Sequence, residues 1–261
     1  MLPSVSAPEW NLTVPSTGEV VKFRPFLTKE YKILLHAVEM KDPGVFVNAI
    51  VNIIEACTKL KIDSLTMYDV DYIFLHIRSK SVGEVVPIRY ICNNVVDKKK
   101  LTGENEETVS GQCGTKINVD LNLQNVKVVI PKNHTEKRVI RVNETTGIKL
   151  KAPSFKHFRE LIIQGNKNMA NKDFNISEFE NDLIFNCIDV IFEGEKLYVP
   201  KIDFTIEEFD LFLEHLPASA ITHLNDFFED LPYVAVQTEV KCPVCGNTQM
   251  VEVRTLEDFF V

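Results

Sequence analysis

No window of this 261-residue chain approaches 18 uninterrupted apolar residues, so no segment is expected to span a membrane. The start, Met1 to Pro8, has neither the basic residues nor the apolar run of a secretory signal. Basic charge is scarce. With 29 Lys and Arg against 37 Asp and Glu the formal charge is -8, which argues against non-specific nucleic-acid binding. The six histidines (His36, His76, His134, His157, His215 and His223) show no paired spacing of two, three or four residues, so each reads as a surface, helix-face or capping residue. His223, between Ile221 and Leu224, is only a reserve metal ligand. There is no nucleophile elbow, phosphate loop or dinucleotide fingerprint, and no internal repeat or low-complexity tract. No catalytic residue and no small-molecule substrate are therefore expected. A single Trp stands against 17 Phe, which points to a Phe-led core or interface.

What is present is ordinary for a soluble protein: 45% hydrophobic and 25% charged residues, on a chain long enough to bury a sizeable core. Six cysteines without a secretory signal imply a reducing compartment, such as a cytoplasm. There, close cysteine spacing reads as metal binding rather than disulfides.

That spacing occurs at Lys241-Cys242-Pro243-Val244-Cys245-Gly246-Asn247. Two thiols separated by two residues can face one ion, and the following glycine lets the chain turn back beneath them. Strand-like stretches on both sides, Tyr233 to Val240 and Thr248 to Thr255, put this knuckle at the tip of a hairpin. Cys92 and Cys113 are the expected remaining ligands. Cys113 is again followed by glycine and leads into a strand, and about twenty residues separate the pair, as if a loop had been inserted into a second knuckle. Four thiolates on one Zn²⁺ leave no open coordination place, which predicts a structural ion. A redox dithiol would need a helix starting at the motif, and strands flank it instead. Cys57 and Cys187 lie on apolar helix faces and are expected in the core.

Along the chain, alternating residues predict a hairpin from Trp10 to Arg24. Three helices follow. The first is capped by Thr28, with Tyr31, Leu34, Leu35 and Val38 on one face. The second opens at Asp42-Pro43, and the third runs over about Thr66 to Lys80. Strands are expected at Glu84 to Cys92 and between Thr115 and Leu150, as one four- or five-stranded antiparallel unit, with a flexible loop over Asp97 to Gln112. Helices open again at Pro153-Ser154, Ser177 and Thr205 and after Pro217, the first broken at Gly165. The expected class is α+β: helices around a central antiparallel sheet, with a zinc-ribbon-like hairpin near the C-terminus. Residues 1–82, 83–152 and 153–261 form the natural divisions.

The order of several stretches resembles the baseplate hub assembly proteins of T-even-like contractile-tailed bacteriophages. They are Leu2-Pro3-Ser4, Phe23-Arg24-Pro25-Phe26-Leu27-Thr28-Lys29-Glu30, and the run from Asp71 through Arg78-Ser79-Lys80-Ser81-Val82-Gly83-Glu84. Cys92 with Cys113-Gly114, His223 to Phe228, the Cys242 knuckle and Leu256-Glu257-Asp258-Phe259-Phe260 complete the set. The resemblance implies a non-catalytic interaction protein made in the infected bacterium, with other baseplate hub proteins as partners. It does not imply zinc, which rests on the cysteines. Arg78, Lys80 and Glu84 are expected to form either a partner surface or an internal charge network. The competing reading is a zinc-ribbon nucleic-acid-binding or transcription-associated protein. It would need a basic, aromatic-studded face, whereas Glu239, Lys241, Glu252, Arg254, Glu257 and Asp258 near the knuckle are mixed to acidic.

Overall fold

Asp69 fixes how the N-terminal part assembles. In the computed structural model, which describes residues 7–102, 105–135, 137–170 and 176–254, its carboxylate is fully buried. It accepts hydrogen bonds from the backbone and side chain of Thr66, at 3.0 and 2.6 Å, closing a capping box. It also accepts from the backbone and hydroxyl of Ser16, at 2.9 and 2.6 Å. A buried carboxylate needs such partners, and these four donors join the turn of the first hairpin to the start of a helix.

That hairpin pairs β1 (Trp10–Thr13) with β2 (Val20–Phe23). Three helices follow: α1 (Thr28–Met40), α2 (Pro43–Thr58) and α3 (Met67–Ser81). Asp42 caps α2 through Val45 N–H at 3.0 Å, with Pro43 at the first helical position. Leu27, not Thr28, precedes α1, and Glu30 rather than a hydroxyl satisfies the freed backbone N–H of Leu27. The hairpin and helices enclose a first core through Leu12, Phe23, Phe26, Ile50, Ile53, Ile54, Phe74 and Ile77. On α1 only Leu34 joins it. Tyr31, Leu35 and Val38 are 37–44% exposed, each one position on from the buried Glu30, Leu34 and Ala37.

Beyond Gly83 come β3 (Val85–Ile91), β4 (Val95–Thr102), β5 (Asn105–Gln112), β6 (Lys116–Asn122), a 3-10 turn (Leu123–Asn125) and β7 (Lys127–Val129). Then β8 (Lys137–Arg141), β9 (Thr146–Lys151), α4 (Phe155–Ala170), α5 (Ile176–Cys187), β10 (Ile188–Glu193) and β11 (Lys196–Tyr198) follow. The chain continues through α6 (Ile206–Glu214), α7 (Ala218–Glu229), β12 (Tyr233–Lys241) and β13 (Thr248–Val253).

The class is mixed helix and antiparallel sheet, as the pattern predicts, but no single central sheet exists among the described residues. β3 pairs with β6, β7 joins the β12–β13 hairpin, and β8–β9 join β10–β11 in the order β11-β10-β9-β8. Of the strands of 83–152, β7, β8 and β9 thus join sheets completed by later parts of the chain, while β3–β6 and β4–β5 pair within it. Asp97 to Gln112 is not a loop either: β4 and β5 run as a hairpin in which Lys100 is paired in register with Glu107. α4 continues past Gly165, since one glycine costs a helix only about 1 kcal/mol. The Leu256–Phe260 stretch lies outside the described residues.

Two further cores result. One joins Leu75, Val86, Leu121 and Leu123 to Val234, Val236, Val240, Val251 and Val253. The other gathers Ile140, Ile148, Leu150, Phe185, Phe209, Leu224 and Phe227. α3 supplies both of the first two, since Ile73, Phe74 and Ile77 face one way and Leu75 the other.

Glu30, 6% exposed, pairs with Arg24 at 3.0 Å and accepts the Leu27 N–H at 2.8 Å. Burial pushes its carboxyl up, but the Arg24 hydrogen bond and the backbone N–H groups outweigh that and hold it below the ordinary 4.5. Its contribution to stability is therefore complete above pH 4.5 and is lost as pH falls through the lower, folded value. Glu30→Gln is expected to lose about 1–3 kcal/mol at neutral pH and to show a shallower acid limb in urea unfolding. An unchanged acid limb would contradict this assignment.

Candidate metal centre

Each thiol sits where a strand ends or begins. Cys92 follows β3, Cys113 precedes β6, Cys242 follows β12 and Cys245 precedes β13. The two turns have the same backbone wiring. Cys92 N–H donates to Thr115 O at 2.9 Å and Gly114 N–H to Cys92 O at 2.9 Å. In the other turn Cys242 N–H donates to Asn247 O at 2.8 Å and Gly246 N–H to Cys242 O at 2.9 Å. Gly114 and Gly246 have φ of 70° and 72°, the left-handed region that glycine enters without strain. Cys113 N–H donates to Asn94 O at 2.7 Å, closing the base of the β4–β5 hairpin. That hairpin is thus an insertion in a knuckle whose geometry survives around it.

The two hairpin tips face each other. Cys92 Sγ lies 3.7 Å from Cys245 Sγ and Cys113 Sγ lies 3.9 Å from Cys242 Sγ, with all four sulfurs within 4.8 Å of one another. A disulfide needs about 2.05 Å between sulfurs. A tetrahedron of sulfurs at about 2.3 Å from a central Zn²⁺ has edges of about 3.8 Å. Cys92 and Cys242 are buried, and Cys113 and Cys245 are partly exposed.

Hydrogen-bond donors surround the sulfurs. Thr115 Oγ1 is 3.1 Å from Cys113 Sγ, and Asn94 Nδ2 donates to Cys245 Sγ over 3.7 Å. The thiols titrate unevenly. Backbone N–H groups of Cys245 and Val244 overcome burial and pull Cys242 down to about 6. The Thr115 hydroxyl and N–H lower Cys113. For Cys92 the Asn94 N–H favours the thiolate, but burial and the neighbouring thiols outweigh it and push the group up to about 12. A bound cation would reverse that last balance, because a coordinating thiol is deprotonated outright. Thr115 and Asn94 were not singled out in the sequence, although Thr115 stands directly after Cys113-Gly114, the position Asn247 takes after Cys245-Gly246.

The other candidates lie elsewhere. His223 is on the exposed side of α7 beside Asp226, at 3.5 Å. Cys57 and Cys187 sit in the first and third cores, where burial raises them to about 11 and about 12. Lys80 pairs with Glu84 at 2.6 Å and lies 5.9 Å from the Trp10 ring. Glu84 also accepts from Gln124, and Arg78 donates to Gly83 O at 3.3 Å. The Lys80 ammonium, with help from Gln124, lowers the Glu84 carboxyl. No described helix is long and apolar enough to cross a membrane.

A family model for the T4 bacteriophage base plate protein matches residues 7–261. The chain belongs to this family. It is 25% identical over 254 residues to the baseplate hub assembly protein gp26 of Enterobacteria phage T4, covering 97% of this chain and 98% of that protein. No solved structure matches it. The cysteine-bearing hairpins, the three cores and α3 all fall within the matched residues.

Both knuckles depend on a left-handed glycine. A Cβ at Gly114 would meet only Gln112 O, at an ordinary 3.9 Å, so the cost of Gly114→Ala is conformational. About 1–2 kcal/mol of lost stability is expected in urea unfolding. Gly111→Ala, with nothing within 4 Å and no left-handed backbone, serves as the control and should be nearly neutral.

Proposed function

We propose that this chain is a hub assembly or structural protein of a phage tail baseplate, acting through protein contacts, and that a structural Zn²⁺ held by Cys92, Cys113, Cys242 and Cys245 staples its fold. The family match, together with the similarity to a hub assembly protein along nearly the whole chain, supports the baseplate role. Its partners are then other baseplate hub proteins, met in the cytoplasm of the infected bacterium.

One observation carries the zinc reading: four sulfurs within 4.8 Å of one another, on two turns of identical wiring. The arrangement is zinc-ribbon-like, with two hairpins crossing tips over one ion. All four coordination places go to thiolates, so the ion has no site for water or substrate and its role is structural. It ties residues 83–152, through β3 and β6, to residues 153–261, through β12 and β13. For Arg78, Lys80 and Glu84 the contacts with Trp10, Gly83 and Gln124 favour the internal network. The nucleic-acid-binding alternative would need a basic face, whereas Glu239, Lys241, Glu252 and Arg254 on the strands of the Cys242 hairpin are mixed in sign.

Elemental analysis of the purified chain is expected to give one zinc per molecule. Cys92→Ser should lower that stoichiometry, and chelation should loosen both hairpins together in hydrogen exchange. An unchanged zinc content in Cys92→Ser would remove Cys92 from the ligand set. Co-expression with neighbouring tail proteins and pull-down tests the assembly role independently. Failure to capture any baseplate hub protein would count against it.

A further inference from the structure

Helix α1 buries one narrow face and leaves a second apolar face bare. Its buried residues are Glu30, Leu34 and Ala37. Leu27, Tyr31, Leu35 and Val38, spaced by four, four and three, are 37–44% exposed. That spacing makes one stripe, turned by roughly a quarter of the circumference from the buried one. Tyr31 is stacked on Phe26, with ring centroids 5.9 Å apart and planes 5° from parallel, which holds the N-terminal end of the stripe in place. Beside the stripe, on a single flank, stand Lys32 and Glu39, both exposed and seven residues apart.

We propose that this face pairs with the same face of a second copy of the chain, the two α1 helices running antiparallel with Leu35 at the two-fold axis. The placement of charge selects that occupant. Lys32 lies three residues before Leu35 and Glu39 four after it, so an antiparallel pair sets each Lys32 against Glu39 of the other copy, twice, on one flank. A parallel pair would carry the charged flanks of the two copies on opposite sides of the seam, where Lys32 and Glu39 of the two copies do not meet. Tyr31 then meets Val38 of the second copy on either side of the central leucines, and the contact is self-complementary as a two-fold interface requires. A 13-residue helix is about 20 Å long, so the interface is small and the association weak and reversible. The pairing uses none of the cysteine residues and does not depend on the zinc reading.

Sedimentation velocity on the intact, metal-loaded chain tests it, over about 1 to about 200 µM so that mass action populates both states. The wild type is expected to pass from monomer to dimer. Leu35→Glu should weaken association at least about thirtyfold by placing two carboxylates at the axis. Lys32→Glu and Glu39→Lys should each weaken it about tenfold, and the double exchange should restore it, since the pairs are then reversed but still opposite. All three positions are exposed, and thermal melts of each variant check that the fold is kept. A wild type that stays monomeric throughout would overturn the proposal and leave the face to a different protein. Dimerisation indifferent to Leu35→Glu, or a double exchange no better than either single one, would overturn it as well.

Discussion

Four sulfurs from two distant parts of the polypeptide meet within 4.8 Å, where the tips of β3–β6 and β12–β13 come together. Thiols so close to one another cannot all ionise without a compensating charge, and burial makes the problem worse. A divalent cation offsets both costs and converts the cluster from a liability into a cross-link. What it would cross-link is informative. β3 and β6 share a core with β12 and β13, and Tyr90 on β3 accepts a hydrogen bond from Gln249 on β13. The ion would therefore reinforce packing that already exists, at the end of the hairpins where apolar burial thins out.

The remaining organisation runs through α3. One of its faces completes the core under the N-terminal hairpin and α2, and the other reaches the core of the cysteine-bearing strands. Asp69 anchors its start and the Lys80–Glu84–Gln124 contacts lie at its end. Within the third core, β8 is tied to the end of α7 by Arg138 paired to Asp230 at 2.5 Å, and His134 bonds the Asp230 carbonyl at 2.9 Å. α4 reaches the first part through Phe155 N–H to Leu65 O at 2.7 Å and Arg159 to Asp63 at 3.2 Å. For a protein of a baseplate family, such internal tethering suits an element that must present defined surfaces to neighbours.

Much of this was legible in the sequence because the signals are local. Asp42-Pro43 marks a helix start by capping chemistry, Cys242-Pro243-Val244-Cys245-Gly246 marks a turn by spacing, and the apolar periodicity of α2 marks burial. The pairing of Cys92 with Cys113 across twenty residues was legible only from the glycine after the second cysteine, which the left-handed φ of Gly114 explains. Long-range pairing was not legible. Nothing near Lys127 indicates that β7 pairs with β12, or near Arg138 that β8 and β9 pair with strands beyond α5, since strand partners are chosen by the whole core. The exposure of Tyr31, Leu35 and Val38 was not legible either: they share a face with Leu34 by period, and periodicity alone does not say how much of an apolar face is buried.

Zinc K-edge X-ray absorption on the purified protein tests the central claim most directly, because it reads the first coordination shell itself. Four sulfur neighbours at about 2.3 Å, with no oxygen or nitrogen scatterer, are expected for a closed thiolate site. A shell containing a light atom, or fewer than four sulfurs, would mean an ion that is open or bound elsewhere, and would contradict a purely structural centre.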